Sequence, residues 1–160
     1  MRRRSFGLGI IGLLALSGSA LGQTPTKAQP TLPTVPLTII TRDGKHHLFQ
    51  VEVATTPVEQ ETGLMFRKSV APNGGMLFVW KGVQDSQMWM KNTLVPLDMV
   101  FIGAGGTIKA IVENTVPQSL AIIDSQVAVH ATLELAAGTA SRLDLLVGDK
   151  VESKALAAAS

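Results

Sequence analysis

Between Met65 and Met99 the chain carries five of its six methionines, Met65, Met76, Met88, Met90 and Met99, together with both tryptophans, Trp80 and Trp89. Thioethers are flexible and polarizable, so such a cluster suits an adaptable apolar binding surface or the filling of irregular core gaps. The run Met88-Trp89-Met90-Lys91-Asn92-Thr93 lies within it. On an extended strand Met88, Met90 and Asn92 take one face, while Trp89 and Lys91 take the other. Soft sulfur at this Met-x-Met spacing is one chemistry that holds Cu(I), with His46, His47 or His130 as further ligands. No second Met-x-Met and no His-x-His supports it. The residues therefore lead us to expect neither a metal site nor a cofactor.

Asp98 is the second focus. It stands between Leu97 and Met99 and, on a strand, shares its face with Val100 and Ile102. A carboxylate in such company is costly unless it is paired, and Arg67 and Lys91 are the candidate partners. One reading is a buried pair or an acid that caps backbone. The other is a ligand pocket, in which a few polar groups orient a molecule held by apolar walls. The pocket reading assigns ligand binding to Met65, Arg67, Met76, Met88, Trp89, Met90, Lys91, Asn92, Thr93 and Asp98, with no catalytic residue. An enzyme using Asp98 as acid or base, and copper handling by Met88 and Met90, are the alternatives.

Other chemistries find less support. The chain has no cysteine, which excludes disulfides, thiolate nucleophiles, cysteine metal sites and a lipidated-cysteine anchor. It has no G-x-S-x-G, no H-E-x-x-H and no P-loop. Glu134 alternates with Thr132 and His130, and this face reads as solvated. Along one strand face nearest neighbours are ~7 Å apart, so His130 and Glu134 cannot bond directly. An Asp98–Glu134 pair of the glycosidase kind rests on nothing more than the abundance of carboxylates.

The elements that must position these residues are short. Leu37 to Thr41 reads as a strand, Asp43-Gly44 as a hairpin turn, and the alternation Phe49, Val51, Val53 as a half-buried second strand. Thr56-Pro57-Val58-Glu59 has the form of a capping box with proline at the first helical position. Gly63 ends that helix early. Met76 to Trp80, Gln87 to Asn92, Leu97 to Ile102, Thr107 to Val112 and Val127 to Leu135 read as further strands. Thr139 to Leu145 reads as a helical turn with a weak capping box at Ser141 and Asp144, and Val147 to Val151 as a turn and short strand. Seven to eight short strands with one convincing helix predict a mainly β domain, a small barrel or folded antiparallel sheet.

Charge and hydropathy bear on location. Arg2 to Arg4, the apolar run Phe6 to Leu16 and the small-residue end Ala20-Leu21-Gly22 form a secretory signal over residues 1–22. Arg3-Arg4-Ser5-Phe6 resembles a twin-arginine signal, so either that route or the general secretory one is expected. Three of the 14 basic residues lie in this segment, and the rest of the chain holds 11 basic against 12 acidic, a net charge of −1. Nucleic-acid binding has no electrostatic support at that balance. Residues 23–36, with Pro25, Pro30, Pro33 and Pro36, read as a disordered linker, residues 37–153 as one domain and 154–160 as a frayed tail.

Five motifs, taken together, resemble a known family. They are Gly63-Leu64-Met65-Phe66-Arg67, Gly75-Met76-Leu77-Phe78, Met88 to Thr93 followed by Pro96-Leu97-Asp98, Leu133 to Gly138, and Gly148-Asp149. In this order, over about residues 37 to 153, they are similar to the domain-of-unknown-function 192 family. The resemblance implies a compact mainly β domain, often exported, and no activity whose residues could be carried over. The sequence thus supports a periplasmic or secreted monomer that binds a small ligand or envelope component. Contact with a membrane is expected only through an uncleaved signal segment.

Overall fold

The computed structural model describes residues 24–157, so the expected export signal lies outside the described residues. Seven strands form one sheet: β1 (Thr34–Ile40), β2 (His46–Ala54), β3 (Met76–Met88), β4 (Leu97–Ile102), β5 (Ile108–Val112), β6 (Ile123–Ala136) and β7 (Lys150–Glu152). Their order is β5-β4-β6-β3-β2-β1-β7. The two outer strands meet at one end. Thr107 bridges Lys150, the Ile108 N–H donates to the Asp149 carbonyl, and the Gly148 N–H donates to the Ile108 carbonyl, both at 2.9 Å. The sheet is therefore a nearly closed barrel, which leaves little free edge. The expected mainly β, barrel-like architecture is what the chain adopts.

One connection decides the rest. All strand pairs are antiparallel except β2 with β3, which run parallel with Glu52 opposite Met76. A parallel pair needs a crossover. Residues 55–75 supply it and carry the helix α1 (Pro57–Thr62). Thr56 caps α1, with its hydroxyl accepting from the Glu59 N–H, and the Glu59 carboxylate closes the box on the Thr56 N–H. Gly63 ends it at φ +47°, and a side chain there would press on the Phe78 ring.

The apolar side chains sort into two cores. One contains Leu37, Phe49, Leu77, Val100, Ile108, Leu133 and Val151, with a member from every strand, and fills the barrel. The other contains Ala54, Leu64, Met76, Phe78, Met88, Met90, Leu97, Met99 and Phe101, and lies on the outer face beneath the crossover. Register explains the alternation. Leu77, Leu133 and Val100 share a row inside, whereas Met76, Glu134 and Met99 share the next row outside. β4 is consequently buried along its whole length, on both faces.

Several boundaries differ from expectation. β6 starts at Ile123, four residues before the expected Val127. β1 begins at Thr34 and includes Pro36, tolerated because β7 pairs only with Thr38 to Ile40 and leaves the start of β1 an edge. The segment before it is docked: the Gln29 amide donates to the Glu59 and Gly63 carbonyls, and the Leu32 N–H donates to Glu52 Oε2 at 2.7 Å. At the other end Lys154–Ala157 forms a short helix, α3, whose buried Leu156 joins the barrel core. The expected strands Met76 to Trp80 and Gln87 to Asn92 are one continuous strand, β3, which ends at Met88, so residues 89–92 are not strand.

Candidate functional site

The pieces that cover the outer face leave a pocket of about 310 Å³ between α1, β3, β6 and the loop after β3. Met65, Phe78, Trp80, Met88 and Trp89 supply its apolar walls, and Thr93, Gln60 and Gln87 line it with polar groups. Glu134 is the one carboxyl buried in it, 4% exposed. Among the described residues no hydrogen bond or ion pair to that carboxyl is found. Burial without a partner pushes its pKa up from 4.5 to about 8, because the ionised form loses its water. Glu134 is thus held mainly as the neutral acid at pH 7, and a perturbed acid in a cleft is a candidate functional residue.

Local backbone explains how the walls are held. Phe78 and Trp80 stack with centroids 5.9 Å apart. After α1 the chain turns through Phe66 at φ +61°, a left-handed conformation that costs a bulky residue ~1–2 kcal/mol. Its N–H donates to the carbonyl of Asn92, itself left-handed at φ +55°. The Asn92 amide in turn donates to the Met65 sulfur at 3.8 Å. The two loops that bear Met65 and Trp89 are clasped together in this way. Gly75 matters on the opposite side, since a side chain there would run into the Glu134 backbone carbonyl.

Of the ten residues expected to bind ligand, Met65, Met88, Trp89 and Thr93 line the pocket. Trp89 is 40% exposed at its rim, with Lys91 Nζ 4.8 Å from the ring centroid. Met76 and Met90 are fully buried packing behind the wall, and the Met90 sulfur accepts from the Thr115 hydroxyl at 3.1 Å. Met90 is thus core packing and, unlike Met88, does not line the pocket. His46 and His47 start β2, and His130 lines a different cavity at the end of the barrel. Arg67 pairs with Glu52 at 2.9 Å and lines a neighbouring cleft of about 220 Å³.

Asp98 does not belong to the site. It is completely buried and accepts two backbone N–H groups, from Asn114 at 2.9 Å and from Ala140 at 2.8 Å. The second caps the helix α2 (Thr139–Arg142), whose own N-cap, Gly138, has no side chain to do so. The capping-acid reading of Asp98 is the one realised, with neither Arg67 nor Lys91 as partner. Asp98 lies opposite Leu135, on the barrel face, and Glu134 opposite Met99, on the outer face. The two acids therefore point to opposite sides of the sheet and form no pair.

Glu134 is where the reading of the sequence fails. His130, Thr132 and Glu134 are all buried, not solvated: the crossover and the loop after β3 cover Glu134, Thr132 bonds to the Ser86 hydroxyl of β3, and His130 lines the other cavity at the end of the barrel. A signal was present: on that face Ala128, His130, Thr132 and Ala136 carry no formal charge, unlike a solvated strand.

Four of the five sequence motifs thus converge on one pocket, at Met65, at Phe78, at Met88 to Thr93 and at Glu134. The model of the family described as domain of unknown function 192, an uncharacterized ACR, matches residues 38–153. The chain belongs to this family. Two crystal structures are similar to it. A protein of Sinorhizobium meliloti 1021, provisionally described as a transcription regulator, is 45% identical, with a TM-score of 0.76 over 79% of this chain and 98% of that one. A protein of unknown function from Novosphingobium aromaticivorans DSM 12444 is 36% identical, with a TM-score of 0.74 over 78% of this chain and 90% of that one. The comparison with curated proteins found no match. Family membership accounts for the fold, while the chemistry must be argued from the pocket.

Proposed function

We propose that this protein is an exported, non-enzymatic module that binds a small molecule in the pocket around Glu134. The observation that carries the reading is the unpartnered buried carboxyl in a pocket walled largely by aromatic and thioether side chains. Such a group is costly in a folded protein, and a ligand that bonds to it offsets the cost. Aromatic and thioether walls with a few convergent polar groups are the usual make-up of a small-molecule site, and about 310 Å³ is at the lower end of the usual range. Export rests on the signal-like residues 1–22. The regulator description of the Sinorhizobium protein is not transferred, since a net charge of −1 beyond residue 22 gives no drive toward phosphate. Native mass spectrometry of protein purified from the periplasm tests the proposal. The expected result is a retained small molecule that is lost in Trp89→Ala, and a bare wild-type mass under every growth condition counts against it.

A second reading is favoured by the raised pKa alone: an enzyme in which Glu134, not Asp98, donates a proton. It requires turnover of some envelope fragment that stops in Glu134→Gln.

A further inference from the structure

The chemistry of the pocket lining narrows what it binds. Two carboxyl groups, Glu134 at its wall and the exposed Glu61 of α1, line it, and no Lys, Arg or His does. Of the nearby cations, Arg67 is engaged elsewhere with Glu52, and Lys91 is held at the rim over the Trp89 ring. In its own row of the sheet Glu134 is flanked by Met76 of β3 and Met99 of β4, which are uncharged. From α1 the polar lining groups are Gln60, Glu61 and Thr62, from the end of β3 Gln87, and from the loop after β3 Thr93. The one positive charge left near the pocket among the described residues is therefore Lys91, which lies over the Trp89 ring at the rim and is not a lining residue. Gln60 is already occupied, with its amide donating to the Val79 carbonyl at 2.8 Å.

We infer that the occupant is a compact organic cation, whose ammonium pairs with the Glu134 carboxylate while its apolar body packs among Phe78, Trp80, Trp89 and the Met65 and Met88 thioethers. This deepens the binding reading above and rests on it. Aromatic faces attract ammonium groups through their quadrupoles, most strongly where water is excluded. Trp89 already holds one ammonium, that of Lys91, over its ring. An anionic ligand would meet two carboxyl groups and no cation in the lining. A cation, by contrast, converts the carboxyl from an uncompensated group to one half of an ion pair. Glu134 holds its proton to about pH 8, so the cation must displace it. Binding should therefore release a proton and tighten about fivefold from pH 7 to pH 8, as the carboxylate fraction rises.

Both tryptophans of the chain line the pocket, so intrinsic fluorescence reads occupancy directly. The probes are two matched pairs: choline with 3,3-dimethylbutan-1-ol, and 2-phenylethylammonium with 2-phenylethanol. Each pair keeps the shape and removes the charge. The wild-type chain without its signal segment should bind at least one cation ten or more times tighter than its neutral partner at pH 8. Glu134→Gln, which preserves shape, should abolish that preference and leave the affinity for the alcohol as it was. Equal affinity within both pairs, or a preference that survives Glu134→Gln, overturns the inference but not the pocket. A neutral or anionic molecule retained in native mass spectrometry, with no response to any probe, has the same consequence. No response to any probe and no retained molecule overturns both.

Discussion

Removing the charge of Glu134 should change how stability depends on pH. The carboxyl is held near pKa 8 in the folded protein against an ordinary value of 4.5. A raised acid works against folding once the unfolded chain can ionise. Its unfavourable contribution is absent below about pH 4, grows as pH rises past the unfolded value, and levels off above the folded one. With about 1.4 kcal/mol per pH unit between those limits, wild-type stability should fall by about 3 kcal/mol from pH 5 to pH 8 through this group. That is a large share of the ~5–15 kcal/mol typical of a domain. Glu134→Gln fills the same space and cannot ionise. Urea unfolding followed by tryptophan fluorescence at pH 5, 6, 7 and 8 measures the difference. Other titrating groups are common to both proteins, so the gap between the two curves isolates Glu134. The variant should gain on the wild type steadily toward pH 8. Parallel curves would refute the argument, because they would mean that the carboxyl is solvated or paired in the folded protein.

Asp98→Ala should have the opposite effect at neutral pH. It strands the buried Ala140 N–H at ~1–3 kcal/mol and removes the part-buried bond from the Asn114 N–H at ~0.5–1.5 kcal/mol, so a loss of about 2–4 kcal/mol is expected in urea unfolding; a loss under 1 kcal/mol contradicts the capping role. Met90→Ala should cost ~2–5 kcal/mol as a core truncation, whereas Trp89→Ala at the rim should cost little stability yet remove ligand retention, and equal losses in thermal unfolding would undo that division. Thr56→Ala removes the cap of α1 and should cost ~1 kcal/mol by the same unfolding assay. N-terminal sequencing of the exported protein should begin at Gln23 or close by, and Met1 on mature protein would overturn the export reading.

Local signals settled much of this molecule. The capping box at Thr56 and Glu59, the stop at Gly63 and the strand Leu97–Ile102 depend on neighbours within a few residues, and the fold carries them as written. The inward face of Asp98, with Val100 and Ile102, follows from the two-residue period of a strand alone. Family membership was legible as well, since it rests on ordered motifs. The site was legible only in outline, as a cluster of methionine and tryptophan. What Asp98 and Glu134 do was decided by partners that alternation cannot reveal. Asp98 caps a helix 42 residues away, and the first turn of that helix has no capping side chain of its own. Glu134 is buried because one parallel strand pair forces residues 55–75 across the outer face. Strand periodicity states which side chains share a face, but whether that face meets water depends on what the chain lays over it, and only the tertiary structure decides that.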